Sequence, residues 1–139
     1  MSTDFRDAAL RHLDDAELLL NDNCIPNADQ LFGLSAECSL KAVMVGLGLA
    51  THPDGTPQDY GHKVHMPDLW AAFQSFASGR LASRYLDAMD IQNPFVDWDV
   101  EQRYWNSSAI QGAATQNHHL AALQCIESLE RLIADGAVH

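Results

Sequence analysis

Pro26-Asn27-Ala28-Asp29-Gln30-Leu31-Phe32-Gly33-Leu34-Ser35-Ala36-Glu37-Cys38-Ser39-Leu40-Lys41-Ala42-Val43-Met44-Val45-Gly46-Leu47-Gly48-Leu49 is the stretch that decides the fold. Its spacing predicts one long helix. Proline suits the first helical turn, and Gly46 and Gly48 loosen the far end. From Ala28 onward, Leu31, Phe32, Leu34, Ala36, Leu40, Val43, Met44, Val45 and Leu47 fall on most faces of that helix. A helix so apolar is central in its bundle or sits in an interface between copies. Its charges after Asp29 are Glu37 and Lys41, one turn apart with the acid first, the favourable order. Inside an apolar helix they must be paired, because an unpaired buried ion is costly.

The flanking sequence predicts further helices. The first runs from about Thr3 to Leu20, capped by Ser2 or Thr3, with Phe5, Ala9, His12/Leu13, Ala16 and Leu19/Leu20 as its stripe. Asn21-Asp22-Asn23 stops it. Residues 51–65 carry two prolines and two glycines and read as a long connection. A third helix starts at Pro67-Asp68 and buries Leu69, Trp70, Phe73 and Phe76/Ala77. Residues 80–90 read as a short helix. The last helix begins at 106–108, among cap-type residues, and continues to about Ala134. Its expected stripe is Ala109, Ala113, Gln116, Leu120, Leu123, Cys125/Ile126, Leu129 and Leu132/Ile133. Runs alternating with period two are absent, so the fold class is all-α. Short connections imply an up-and-down bundle of four long helices plus one short helix, in a single domain over residues 1–139.

Composition narrows the function classes. The chain has 139 residues, 47% hydrophobic and 19% charged, which suits one globular domain. Eight Lys and Arg against 19 Asp and Glu give a net charge of −11. That balance disfavours broad nucleic-acid binding, which needs a positive surface. No apolar run is long enough to span a bilayer, and the first residues lack a signal-peptide pattern. The expected compartment is the cytoplasm. Cys24, Cys38 and Cys125 lack CxxC spacing and read as reduced core thiols.

Several residues are candidates for chemistry. Arg103, before Tyr104 and Asn106, offers a planar fork for an anion near a helix start. The competing reading pairs it with Glu37 or Asp99 and stacks it on an aromatic. His62 and His65 have metal-compatible spacing but want a third ligand, so no metal is expected. His65 reads as a cap for the third helix and His119 as a polar-edge residue. Arg80 and Arg84, beside Tyr85, form a thin basic patch, or a solvated face bridging to Asp87 or Asp90. Phosphate-loop, nucleophile-elbow and zinc-protease motifs are absent.

Three stretches carry a family resemblance: His12-Leu13-Asp14-Asp15-Ala16-Glu17-Leu18-Leu19; Ala36-Glu37-Cys38-Ser39-Leu40-Lys41-Ala42-Val43; and Gly61-His62 leading to Leu69, with Arg103-Tyr104 before the last helix. In that order the chain resembles the HEPN superfamily. The resemblance implies a helical bundle, usually dimeric. Many members are metal-independent ribonucleases, and others are non-catalytic partners, for example of nucleotidyltransferases. Arg103 matches the arginine of the ribonuclease motif, but Ser108, Ala109 and Ile110 stand where its histidine belongs. His118 and His119 lie roughly 22 Å further along any continuous helix.

These readings together predict a non-catalytic binding or regulatory module. Its site would be a polar cleft of Glu37, Lys41, Arg103 and Tyr104, rimmed by His62 and Asn106, for a nucleotide or other anionic ligand. The expected partners are a second copy in a homodimer and a nucleotidyltransferase; nucleic acid is not favoured, and no cofactor is expected. The alternatives are a toxin-like ribonuclease with an altered motif, and a structural partner protein.

Overall fold

The computed structural model describes residues 2–79, 83–87, 89 and 92–136. Among these residues there are four α-helices and no strand: α1 (Phe5–Asn21), α2 (Ile25–Gly46), α3 (Asp68–Gly79) and α4 (Gly112–Ala134). The chain is all-α. No described helix is long and apolar enough to cross a membrane.

Helix α2 lies at the centre, packed along much of its length between α1 and α4. Ala28, Phe32, Ala36, Leu40, Val43 and Met44 are fully or almost fully buried. The chain covers most of α2 by itself, so the apolarity of that helix does not call for a second copy. The cap of α1 is Asp4, whose carboxylate accepts from the Asp7 amide at 3.0 Å, rather than Ser2 or Thr3. Asn23, with φ +60, turns the chain out of α1. Helix α3 buries the stripe its sequence indicates.

Two elements differ from expectation. Helix α4 begins at Gly112, not at residues 106–108. Asn106 accepts from the Ser108 amide at 2.9 Å and the Ser108 hydroxyl at 2.8 Å, so its capping power goes into the short 3₁₀ turn Ser107–Ala109. Ile110 is then extended, and the helix starts afresh. The first turns of α4 also face another way. Thr115, His118, Ala121 and Ala122 are buried, whereas Leu120 is 61% exposed and Leu123 is exposed. Only part of 80–90 is described, with a 3₁₀ turn at Ser83–Leu86. Arg80, half of the expected basic patch, lies outside the described residues. Arg84 pairs with Asp135 at 3.1 Å.

The long connection is ordered from within. The Asp54 carboxylate accepts from both the amide (2.9 Å) and the hydroxyl (2.6 Å) of Thr56. The Asp54 carbonyl accepts from the Thr3 amide at 2.6 Å, which ties the connection to the approach to α1. Gly55 sits at φ +88, where a Cβ would also meet the Thr3 carbonyl oxygen at 2.8 Å.

Candidate functional site

Midway along α2, Glu37 and Lys41 are both buried, and Lys41 Nζ donates to Glu37 Oε2 at 3.3 Å. The carboxylate's other oxygen lies 2.8 Å from His65 Nδ1, on the long connection. His65 therefore spends its ring on Glu37, and only its backbone carbonyl serves α3, by accepting from the Leu69 amide. Cys38 lies in the same neighbourhood. Burial and the Glu37 charge push its thiol up to about 12, so it stays protonated. Burial and Arg11 hold His12 below its ordinary value, against the pull of Asp15 and Glu37.

Lys41 also lines an open cavity of about 360 Å³, walled by Thr3, Phe5, Thr56, Pro57 and Lys63. The two lysines of the whole sequence thus meet at one cavity. Lys41 Nζ stands 5.7 Å from the Phe5 ring centre, and Lys63 Nζ lies 5.3 Å from that of the exposed Tyr60. The cavity is lined by two lysines, of which Lys41 is already paired with Glu37, by apolar side chains and by two threonines. That donor set suits an anion carrying an apolar part.

The expected cleft does not assemble in full. Arg103 is exposed and stacks its guanidinium on its own neighbour Tyr104 at 4.9 Å. It makes no ion pair with Glu37 or Asp99; Glu37 is taken by Lys41 and His65. The turn that carries Arg103, Val100–Tyr104, docks instead near the start of α2, where Gln102 reaches Asp29. Glu37 lies about 12 Å further along that helix. Tyr104 is 73% exposed and Asn106 is exposed. His62 packs edge-on against Phe76 at 5.6 Å, with its Nδ1 buried and unbonded. Cys24 is exposed at the start of α2, not in the core.

A second polar cluster was not anticipated from sequence. His118, 1% exposed, lies with Nδ1 2.6 Å from Asp29 Oδ1 and Nε2 2.7 Å from Asp97 Oδ1. Both ring nitrogens face carboxylates, an arrangement that favours the ring carrying a proton on each nitrogen. Burial works against that charge, but the hydrogen bonds and charges of Asp29 and Asp97 outweigh it and raise the imidazole's pKa. Burial likewise disfavours the Asp29 carboxylate, yet hydrogen bonds from His118, Gln102 and Thr115 hold its pKa below the usual value. Gln102 Nε2 donates to Asp29 Oδ2 at 2.5 Å, and Trp98 Nε1 donates to the Asp29 carbonyl at 3.0 Å. Phe95 stacks on the imidazole at 5.3 Å.

This cluster changes the argument about Arg103 and His118. The separation of roughly 22 Å assumed one unbroken helix. The chain breaks at residues 105–111, and Gln102 and His118 bond to the same carboxylate. The signal for His118 was present in the spacing 118, 122, 125, 129 and 132, which continues the buried row of α4. The adjacent His119 stacks on Phe32 at 4.5 Å and lies 3.0 Å from Glu17.

No family model, curated protein or solved structure matches this chain.

Proposed function

We propose that the chain is a HEPN-like, up-and-down helical module that binds a small anionic ligand, such as a nucleotide, without transforming it. The observation that carries this reading is the meeting of both lysines of a chain with net charge −11 at one cavity. Its size falls within the range of small-molecule sites. The non-catalytic reading draws on one lining residue and one neighbour of Lys41. The Thr56 hydroxyl is committed to Asp54, and the nearby Cys38 thiol is held protonated. Neither is an activated nucleophile. A nucleotidyltransferase is the partner class the resemblance implies.

The test is a thermal-shift titration with nucleoside monophosphates, triphosphates and inorganic phosphate. A ligand at a hundred times its Kd stabilises by about 2.7 kcal/mol, or about 8 °C for a chain of this length. Lys63 is exposed, so Lys63→Ala leaves the unliganded melting point unchanged and weakens the ligand about five- to tenfold. No shift with any of these anions, or a shift indifferent to Lys63→Ala, refutes the reading.

One observation favours a second reading, a ribonuclease. The fold-back at residues 105–111 brings the turn bearing Arg103 and the helix bearing His118 onto the shared Asp29. RNA cleavage by the purified chain, lost in both Arg103→Ala and His118→Ala, would establish it.

A further inference from the structure

The Asp29–His118–Asp97 chain has unequal ends. Asp29 is 2% exposed and is held by His118, Gln102 and Thr115. It has no water to turn to. The Asp97 side chain is 57% exposed, and His118 is its hydrogen-bonding partner among the described residues. A neutral imidazole has one N–H and one lone pair. When His118 loses a proton, the remaining N–H must stay on the buried carboxylate, because an unpaired buried charge costs far more than a solvated one. The Nε2 lone pair then faces the Asp97 carboxylate, and the contact turns repulsive. Asp97 is the end that can leave.

We propose that Asp29, His118 and Asp97 form a proton-operated latch, which fastens residues 96 and 97 to the bundle while the imidazole holds two protons and releases Asp97 when it holds one. The groups facing His118 are Asp29 from α2, Asp97 from the segment before the Val100–Tyr104 turn, and the Phe95 ring. Gln102 and Thr115, which bond the same Asp29, are uncharged. His119 faces Glu17 and takes no part. The released stretch stays tethered at both ends. Asn93 Nδ2 donates to the Pro67 carbonyl at 2.7 Å, and Trp98 Nε1 donates to the Asp29 carbonyl. Opening is therefore local and reversible, and it uncovers the Nε2 edge of a buried imidazole. The raised imidazole pKa sets the direction: closed while the ring is doubly protonated, open as pH rises through that value. The latch is independent of the lysine cavity.

The experiment follows the full chain by NMR from about pH 5 to about pH 9.5, across the histidine range. It reads the His118 ring nitrogens and the exchange of the Trp98 amide, which donates to the Phe95 carbonyl at 3.0 Å. Both ring nitrogens should be protonated at the acid end. On raising pH, Nε2 should lose its proton while Nδ1 keeps its own. Over the same interval Trp98 exchange, corrected for intrinsic pH dependence, should rise about three- to tenfold. Asp97→Asn should abolish that step, because an amide can turn to donate to the neutral ring or accept from the charged one. Asp97→Ala should give fast exchange at every pH. The position is exposed, so both variants should fold. Flat exchange through the wild-type titration, loss of the Nδ1 proton first, or an unchanged step in Asp97→Asn would overturn the proposal.

Discussion

Gly33→Ala tests the packing that seats residues 93–104 on the central helix. A Cβ at residue 33 would lie 2.0 Å from Trp98 Cε2 and 2.3 Å from both Cζ2 and Nε1. Ordinary carbon contacts lie at about 3.5–4 Å, so the indole must move. Trp98 is 2% exposed and holds the Asp29 carbonyl, and moving it breaks both arrangements. Alanine alone would favour the helix by about 1 kcal/mol over glycine. Overpacking of this degree costs about 3 kcal/mol, rising to about 5 if the indole is expelled. The net loss is about 2–4 kcal/mol, which lowers Tm by about 6–12 °C for a chain of this length. Circular-dichroism melts of the wild type, Gly33→Ala, Trp98→Leu and the double variant close a mutant cycle. In the Trp98→Leu background the Gly33→Ala penalty should fall below about 1 kcal/mol. An unchanged or raised Tm for Gly33→Ala in the wild-type background would refute the close approach of helix and indole.

Stability should have a plateau in pH. The Asp29 pKa lies below 3.8 in the fold, so its contribution is present above about 3.8 and lost as pH falls through the lower native value. The His118 pKa lies above 6.5, so its contribution is complete below about 6.5 and lost as pH rises through the raised value. Melting curves across pH should fall on both sides, and His118→Gln should flatten the alkaline arm. Tyr85 Oη donates to Asp135 at 2.5 Å, and Tyr85→Phe should cost about 1–2 kcal/mol in guanidinium unfolding. Under native conditions a thiol reagent should modify the exposed Cys24 quickly and reach the buried Cys38 and Cys125 only on unfolding. Fast modification of two or more thiols would contradict the packing. Arg103→Ala should change stability by less than about 0.5 kcal/mol, because its guanidinium rests on an exposed ring.

The helices and the central place of α2 were legible because greasy residues on every face leave a helix few other options. The Glu37–Lys41 pair was legible for a similar reason, as charges in such a helix need partners. The partner beyond them was not. Arg103 stands out in the sequence by its position before the last helix, whereas the cavity's second lysine, Lys63, comes from the long connection. That meeting depends on Asp54 tying the loop to Thr3, a tertiary contact with no sequence period. The register of α4 is hidden in the sequence because Leu120 and Leu123 outweigh His118 on any hydropathy reading. The fold buries His118 nonetheless, since Asp29 on the facing helix gives it a counter-charge. A buried polar pair between distant segments is invisible to a method that scores each helix alone.

Thr3 does two things at once: it pins the 51–65 connection and forms part of the cavity wall. Any residues fused ahead of it begin at the rim. An affinity handle placed there would hang over the opening, and a polyhistidine one would add imidazoles, cationic below about pH 6.5, to a site defined by two lysines. Ligand screens on such a fusion would report on the handle as much as on Lys41 and Lys63. A handle cleaved before measurement keeps the entrance clear.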